Sequence, residues 1–193
     1  MRSLAVITMF SVAACVHAQN GPMLHSCERL EGVSIGMGRQ AEDSKLFLSH
    51  AAEHVMEGVA AIGGASFAPD TPGNFYLSIY LPIEATDFTD AALVFDAATS
   101  TPEHSKALYV RAYDEYGNTV MSWQSWDGRL GPQAQQFTLT PGEDAAGLVW
   151  EPDRIENKDR SAVTRLEFIT GTGDRDAYFN VTVDNVRVAP AAQ

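Results

Sequence analysis

At 193 residues, 45% of them hydrophobic and 20% charged, the chain carries enough apolar material for one well-packed domain. Its formal net charge of −12 favours solubility and disfavours nucleic acid or an anionic membrane surface as a partner. No apolar run after the N-terminus approaches transmembrane length.

Met1-Arg2 supplies one positive charge, and Leu4 to Ala14 is apolar apart from Thr8 and Ser11, the length of a signal h-region. Val16-His17-Ala18 then suits cleavage before Gln19, so residues 1–18 read as a removable signal peptide of bacterial type. A competing reading takes Val12-Ala13-Ala14-Cys15 as a lipobox, with Cys15 lipidated and the chain membrane-tethered through that lipid alone. Either way the expected location is outside the cytoplasm: secreted, periplasmic or on the cell surface. Cys27 is then left without an intrachain partner, and it reads as a small buried hydrophobe.

Period-two alternation recurs downstream, and runs at helical spacing are few. Strands are expected over Lys45 to Ser49, Val59 to Phe67, Asn74 to Leu81, Ala91 to Ala97, Ala107 to Asp114, Gln135 to Thr140, Val163 to Ile169 and Tyr178 to Val188. Turn chemistry separates them at Pro69-Asp70-Thr71-Pro72-Gly73, Glu115-Tyr116-Gly117-Asn118, Asp127-Gly128, Thr140-Pro141-Gly142 and Gly171-Thr172-Gly173-Asp174. Ala51 to Met56 is expected to be a turn. The pattern predicts an all-β jelly-roll sandwich over residues 19–188, with 189–193 a flexible tail.

A saccharide site needs aromatic faces with amides and charged groups beside them. On one strand Tyr76, Ser78 and Tyr80 alternate against a core set of Phe75, Leu77, Ile79 and Leu81; on another, Tyr109, Arg111 and Tyr113 oppose Leu108, Val110 and Ala112. If the two strands share a sheet, Tyr76, Tyr80, Tyr109, Arg111 and Tyr113 line one concave surface. Trp123 and Trp126 lie beside a turn in Ser122-Trp123-Gln124-Ser125-Trp126-Asp127-Gly128, where Gln124 and Asp127 can bond hydroxyls. These nine residues are the expected ligand-binding set, although tyrosine and tryptophan also serve as packing residues in sheets, which leaves one tryptophan as a core alternative.

The residues do not compose an enzyme. Most carboxylates sit in turns, and His50-Ala51-Ala52-Glu53-His54 lacks the order of a metalloprotease helix. No nucleophile elbow, phosphate loop or dinucleotide fingerprint occurs. The sequon Asn180-Val181-Thr182 reads as chance on a strand.

The closing stretch Ala177 to Val188, with its Asp184-Asn185-Val186-Arg187 ending, resembles the last strand of galactose-binding-like jelly rolls, which include many carbohydrate-binding modules. Leu30-Glu31-Gly32, Leu46 to Ser49 with His54 to Gly58, Leu139 to Gly142 and Val163 to Phe168 follow in matching order. The turn departs from that pattern at Gly58-Val59-Ala60-Ala61. The resemblance implies a structural Ca²⁺ that joins Glu31, Glu57 and Asp184, and a non-catalytic module that binds a polysaccharide or other glycan. A structural or adhesion protein of the cell envelope with the same fold is the alternative, and a polysaccharide-active enzyme comes third.

Overall fold

The computed structural model describes residues 21–37, 42–128 and 130–191, so the signal segment and Cys15 lie outside the described residues. In chain order the strands are β1 (Met23–His25), β2 (Ser34–Met37), β3 (Glu42–Ser49), β4 (Ala61–Ala68), β5 (Phe75–Thr86), β6 (Ala91–Ala98), β7 (Ala107–Asp114), β8 (Thr119–Ser125), β9 (Gln135–Leu139), β10 (Val149–Trp150), β11 (Val163–Thr172) and β12 (Ala177–Pro190). Two six-stranded sheets result. The first runs β3-β4-β12-β6-β9 with β1 also on β12, and the second runs β10-β8-β7-β11-β5-β2. All pairs are antiparallel.

Alternation decides which side chains meet between the sheets. Ile62, Leu93, Phe95, Phe137, Val181 and Val183 from the first sheet face Ile79, Leu81, Leu108, Val110, Trp123 and Phe168 from the second. Phe95 stacks on Phe137 at 5.1 Å and meets Phe168 edge-on at 4.9 Å across the interface. Cys27 is fully buried in the same core, and burial pushes its thiol well above its ordinary pKa, which suits a packing residue and not a nucleophile.

Several expectations change. The stretch Thr119–Ser125 is a strand that the pattern did not mark, and β5, β11 and β12 are longer than their patterns suggest. The expected tail starts too early: Ala189 and Pro190 continue β12 opposite Ala92 and Ala91, and the Ala191 amide donates to the Asp90 carbonyl. Residues 51–54 form the expected turn.

The two outer faces differ, and this difference positions the site. On the first sheet the outward residues Asn180, Thr182 and Asp184 are buried beneath connecting segments. The Asn180 amide donates to the Ser100 and Thr101 hydroxyls at 2.8 and 3.1 Å, and its carbonyl accepts from Thr99 and from the Ser100 N–H at 3.0 Å each. An amide committed to four bonds beneath a loop is closed to glycosylation, which agrees with reading the sequon as chance. On the second sheet the outward side chains Tyr76 and Tyr80 of β5 and Tyr109, Arg111 and Tyr113 of β7 are only half-buried.

Candidate binding site on the second sheet

The expected surface requires β5 and β7 to share a sheet. They do, but β11 lies between them. The register then arranges outward side chains in rows across the strands. One row runs Ser78, Ile169, Tyr109, Gln124 and Val149 over β5, β11, β7, β8 and β10. The next runs Tyr80, Glu167, Arg111 and Ser122. A third pairs Pro82, Arg165 and Tyr113. Tyr76 begins a fourth opposite Gly171, where a Cβ would lie 2.7 Å from the tyrosine ring. The bare glycine lets that ring lie over β11.

Within this grid the aromatic groups cluster. Tyr76 and Tyr109 stack at 5.9 Å, and Trp126, just beyond β8, stands edge-on to them at 5.7 and 6.1 Å. Trp126 is 38% exposed, enough to present apolar surface to a ligand. Beside the cluster a cleft of about 330 Å³ is lined by Tyr76, Ser78, Tyr109, Arg111, Gln124 and Glu167, with Ile169, Glu151 and Arg154 completing it.

Charge in the cleft is internally paired. Glu167 is almost fully buried; it accepts a short hydrogen bond from the Tyr113 phenol and lies 3.8 Å from the Arg111 guanidinium. Glu151 accepts from the Ser122 hydroxyl at 2.8 Å and sits 3.8 Å from Arg154. The Arg165 guanidinium lies over the Tyr80 ring at 5.4 Å and the Tyr113 ring at 4.5 Å. Burial raises the phenol pKa of Tyr109, Tyr113 and Tyr80, with Glu167 adding to the rise at the last two. All three phenols therefore stay protonated at neutral pH and act as hydroxyl donors.

Of the expected ligand set, Tyr76, Tyr109, Arg111 and Gln124 line the cleft, and Trp126 stands at its rim. Tyr80 and Tyr113 share the face but flank Arg165 away from the cleft lining. Asp127 lies in the following turn, outside that lining, with its amide bonded to the Ser125 hydroxyl. Trp123 must be withdrawn. It points inward, is fully buried, donates its indole N–H to the Glu143 carbonyl at 3.0 Å and packs edge-on against Trp150. Glu167, Ile169, Glu151 and Arg154 were missed. Alternation over Val163–Ile169 does put Arg165, Glu167 and Ile169 on one face, but nothing local says that this strand separates the two tyrosine strands.

The expected metal set is not assembled either. Among the described residues no three His, Cys, Asp or Glu side chains converge to hold a metal ion. Asp184 does meet the Glu57 turn, but through hydrogen-bond donors: its Oδ2 accepts the Met56 and Glu57 N–H groups at 2.7 and 3.0 Å, and its Oδ1 accepts that of Asn185 at 2.7 Å. The Glu57 carboxylate pairs with Arg187. Glu28, not Glu31, caps the turn, accepting the Val59 N–H at 2.8 Å beside Gly58, whose φ of +75° only a glycine holds readily. Both Asp184 oxygens accept N–H groups and the Glu57 carboxylate pairs with a guanidinium, so these two side chains are committed to donors where calcium would need their oxygens. The melting temperature is accordingly expected to stay the same in millimolar calcium and in chelator; a calcium-dependent rise in differential scanning calorimetry would contradict this reading. His50 and His54 bond separately, to the Val59 carbonyl at 2.8 Å and the Ser49 hydroxyl at 2.9 Å.

A comparison with known protein families matches none, and one with curated proteins finds no relative. Solved structures do match. The family 11 carbohydrate-binding module of the cellulosomal cellulase Lic26A-Cel5E of Clostridium thermocellum is 11% identical, with 90% of this chain and 96% of that one covered at a TM-score of 0.58. The chain has the jelly-roll fold of carbohydrate-binding modules. A second structure of a family 11 module from that organism, in complex with a β-1,3-1,4-mixed-linked tetrasaccharide, is also 11% identical, over 89% of this chain and 96% of that one, with a TM-score of 0.56. The agarase AgWH50C is 16% identical over 90% of this chain at a TM-score of 0.57, but only 25% of that chain is covered. The jelly roll thus also occurs as one part of a larger enzyme.

Proposed function

We propose that the chain is an exported, non-catalytic module that binds a glycan across the outer face of the second sheet. One observation carries the reading: Tyr76, Tyr109 and Trp126 form an aromatic cluster directly beside a cleft in which Ser78, Gln124, Arg111 and Glu167 offer hydroxyl partners. Apolar sugar faces pack on such rings, and the paired charges accept and donate hydrogen bonds without a net field. Glu167 and Glu151 are tied to Arg111, Tyr113, Ser122 and Arg154, which suits fixed acceptors better than a proton-transferring pair. The signal-like residues 1–18 support export. The bound tetrasaccharide of the family 11 module adds a precedent for glycan binding on this fold.

A glycan array followed by calorimetry tests the proposal. Binding to at least one polysaccharide is expected. Trp126→Ala and Tyr109→Ala should each weaken it by about 2 kcal/mol, roughly thirtyfold in affinity, with Trp126→Ala leaving the melting temperature nearly unchanged. Failure to bind any glycan, or a Trp126→Ala protein that binds like the parent, would sink it.

A further inference from the structure

Two cations line the cleft beside Tyr109, and each has a carboxylate near it: Arg111 faces Glu167 and Arg154 faces Glu151, both at 3.8 Å. In the next row along the strands, Arg165 has none. Among the described residues no carboxylate lies within ion-pair distance of its guanidinium, no hydrogen bond holds it, and its Nε is buried without a partner. The acidic residues nearest in register on the flanking strands do not neutralise it. Asp114 on β7 accepts instead from the Asn118 and Asn157 amides at 2.9 and 3.0 Å, and Glu84 on β5 forms no ion pair among the described residues.

What holds Arg165 is a pair of rings, Tyr80 at 5.4 Å and Tyr113 at 4.5 Å. Stacking fixes the guanidinium and strips part of its water without cancelling its charge. Neither ring supplies an anion, because burial and the Glu167 charge keep both phenols protonated at neutral pH. Gly36 helps to place the first ring: a Cβ there would lie 2.6 Å from Tyr80, so the bare glycine lets the ring rest on β2.

Resting on the glycan-binding reading, we infer that the glycan carries an acidic group, carboxylate or sulfate, and that Arg165 receives it beside the aromatic cleft. The guanidinium fork matches either oxyanion, and the side chain is half-buried, so salt screens the pairing less than it would at an open surface. Successive outward rows lie about 7 Å apart. Arg111 and Glu167, in the row next to Arg165, line the cleft, so a sugar seated there, or the ring after it, brings its substituent to the cation. The net charge of −12 opposes an acidic ligand only weakly at this place, because charges elsewhere are screened beyond about 8 Å at physiological salt.

Calorimetric titration with oligogalacturonides and with carrageenan oligosaccharides, each beside its own uncharged form, the methyl ester or the desulfated chain, tests the inference. Mixed-linked β-glucan oligosaccharides of matched length serve as a further neutral series. At least one acidic ligand should bind about tenfold or more tightly than its uncharged form. That advantage should shrink as salt rises from about 0.01 M to about 0.15 M. A preference within the galacturonides alone identifies carboxylate as the group received, and one within the carrageenans alone identifies sulfate. Arg165→Gln should bring the acidic ligand down to the affinity of its uncharged form, and Arg165→Lys, a point charge without the fork, should fall between. The acidic preference of the parent and its salt dependence need no variant, so they decide the matter even if Arg165→Gln folds poorly. Uncharged forms that bind as tightly as the acidic ones, binding confined to the β-glucans, or an Arg165→Gln protein that keeps the full acidic preference overturns the inference while glycan binding stands. Failure of every oligosaccharide to bind overturns both.

Discussion

Trp123→Ala is expected to lower the stability of the protein by about 3–5 kcal/mol, with a cooperative loss visible in both thermal and denaturant unfolding. Trp123 is among the largest fully buried side chains, it fills the end of the core against Trp150, and its indole N–H is bonded to the Glu143 carbonyl. Truncation removes the apolar contacts, opens a cavity that rigid neighbouring strands close poorly, and leaves the carbonyl without its donor. Domains of this size hold only about 5–15 kcal/mol in total, so the variant should be close to unfolding at physiological temperature. Trp126→Ala, three positions along, is expected to leave stability within about 1 kcal/mol. If the two variants melted alike, the assignment of one tryptophan to the core and the other to the surface would be wrong.

The second large effect is expected at Asp184. Its carboxylate collects N–H groups from Met56, Glu57 and Asn185, tying the turn before β4 to the closing strand. Asp184→Ala leaves those donors without their acceptor, the Asn185 N–H in a buried place and the other two partly buried, and a loss of about 2–4 kcal/mol is expected. The effect depends on pH in a defined direction. Burial raises the Asp184 carboxyl to about 6; the Met56 and Asn185 N–H groups oppose the rise, and the nearby Asp96 and Glu28 charges add to it. Because the folded chain holds this proton more tightly than the unfolded chain, the contribution is fully present below about pH 4 and is lost as pH climbs through about 6. The gap in melting temperature between the parent and Asp184→Ala should therefore be wider near pH 5 than near pH 7.5. A gap that narrows toward acid would mean that the three N–H bonds outweigh burial.

The same residue shows what a local pattern can and cannot carry. The Asp184-Asn185-Val186-Arg187 ending marks the last strand, and in the structure it is a bulge: Asn185 sits at φ 54°, and the pairing with β6 shifts between Asp184 and Arg187. Asparagine tolerates that conformation, so the motif has a backbone reason. Its implied calcium partners depended on which acidic residue of the N-terminal segment reaches the turn. Glu28 and Glu31 are three residues apart, and only the path of the chain selects Glu28.

The strand β8 was harder to see than β7 for a related reason. Ala107–Asp114 alternates buried and half-buried positions, so its bounds are legible from period two. Along Thr119–Ser125 nearly every position is buried, because Glu151 and the Glu156 carboxylate fold over its outward side and bond Ser122 and Thr119. A strand covered on both sides loses its alternation.

By itself the sequence determined the class of fold and the polar face of each tyrosine-bearing strand, because a side-chain period of two is a property of the local backbone. Tertiary structure decided the rest: that β11 lies between β5 and β7, that Glu167 and Ile169 thereby join the tyrosines, that Trp123 turns inward and Trp126 outward, and that N–H groups meet Asp184. Strand order and sheet coverage are set by contacts between residues far apart in the chain, and the alternation within any one strand is the same whichever neighbours it acquires.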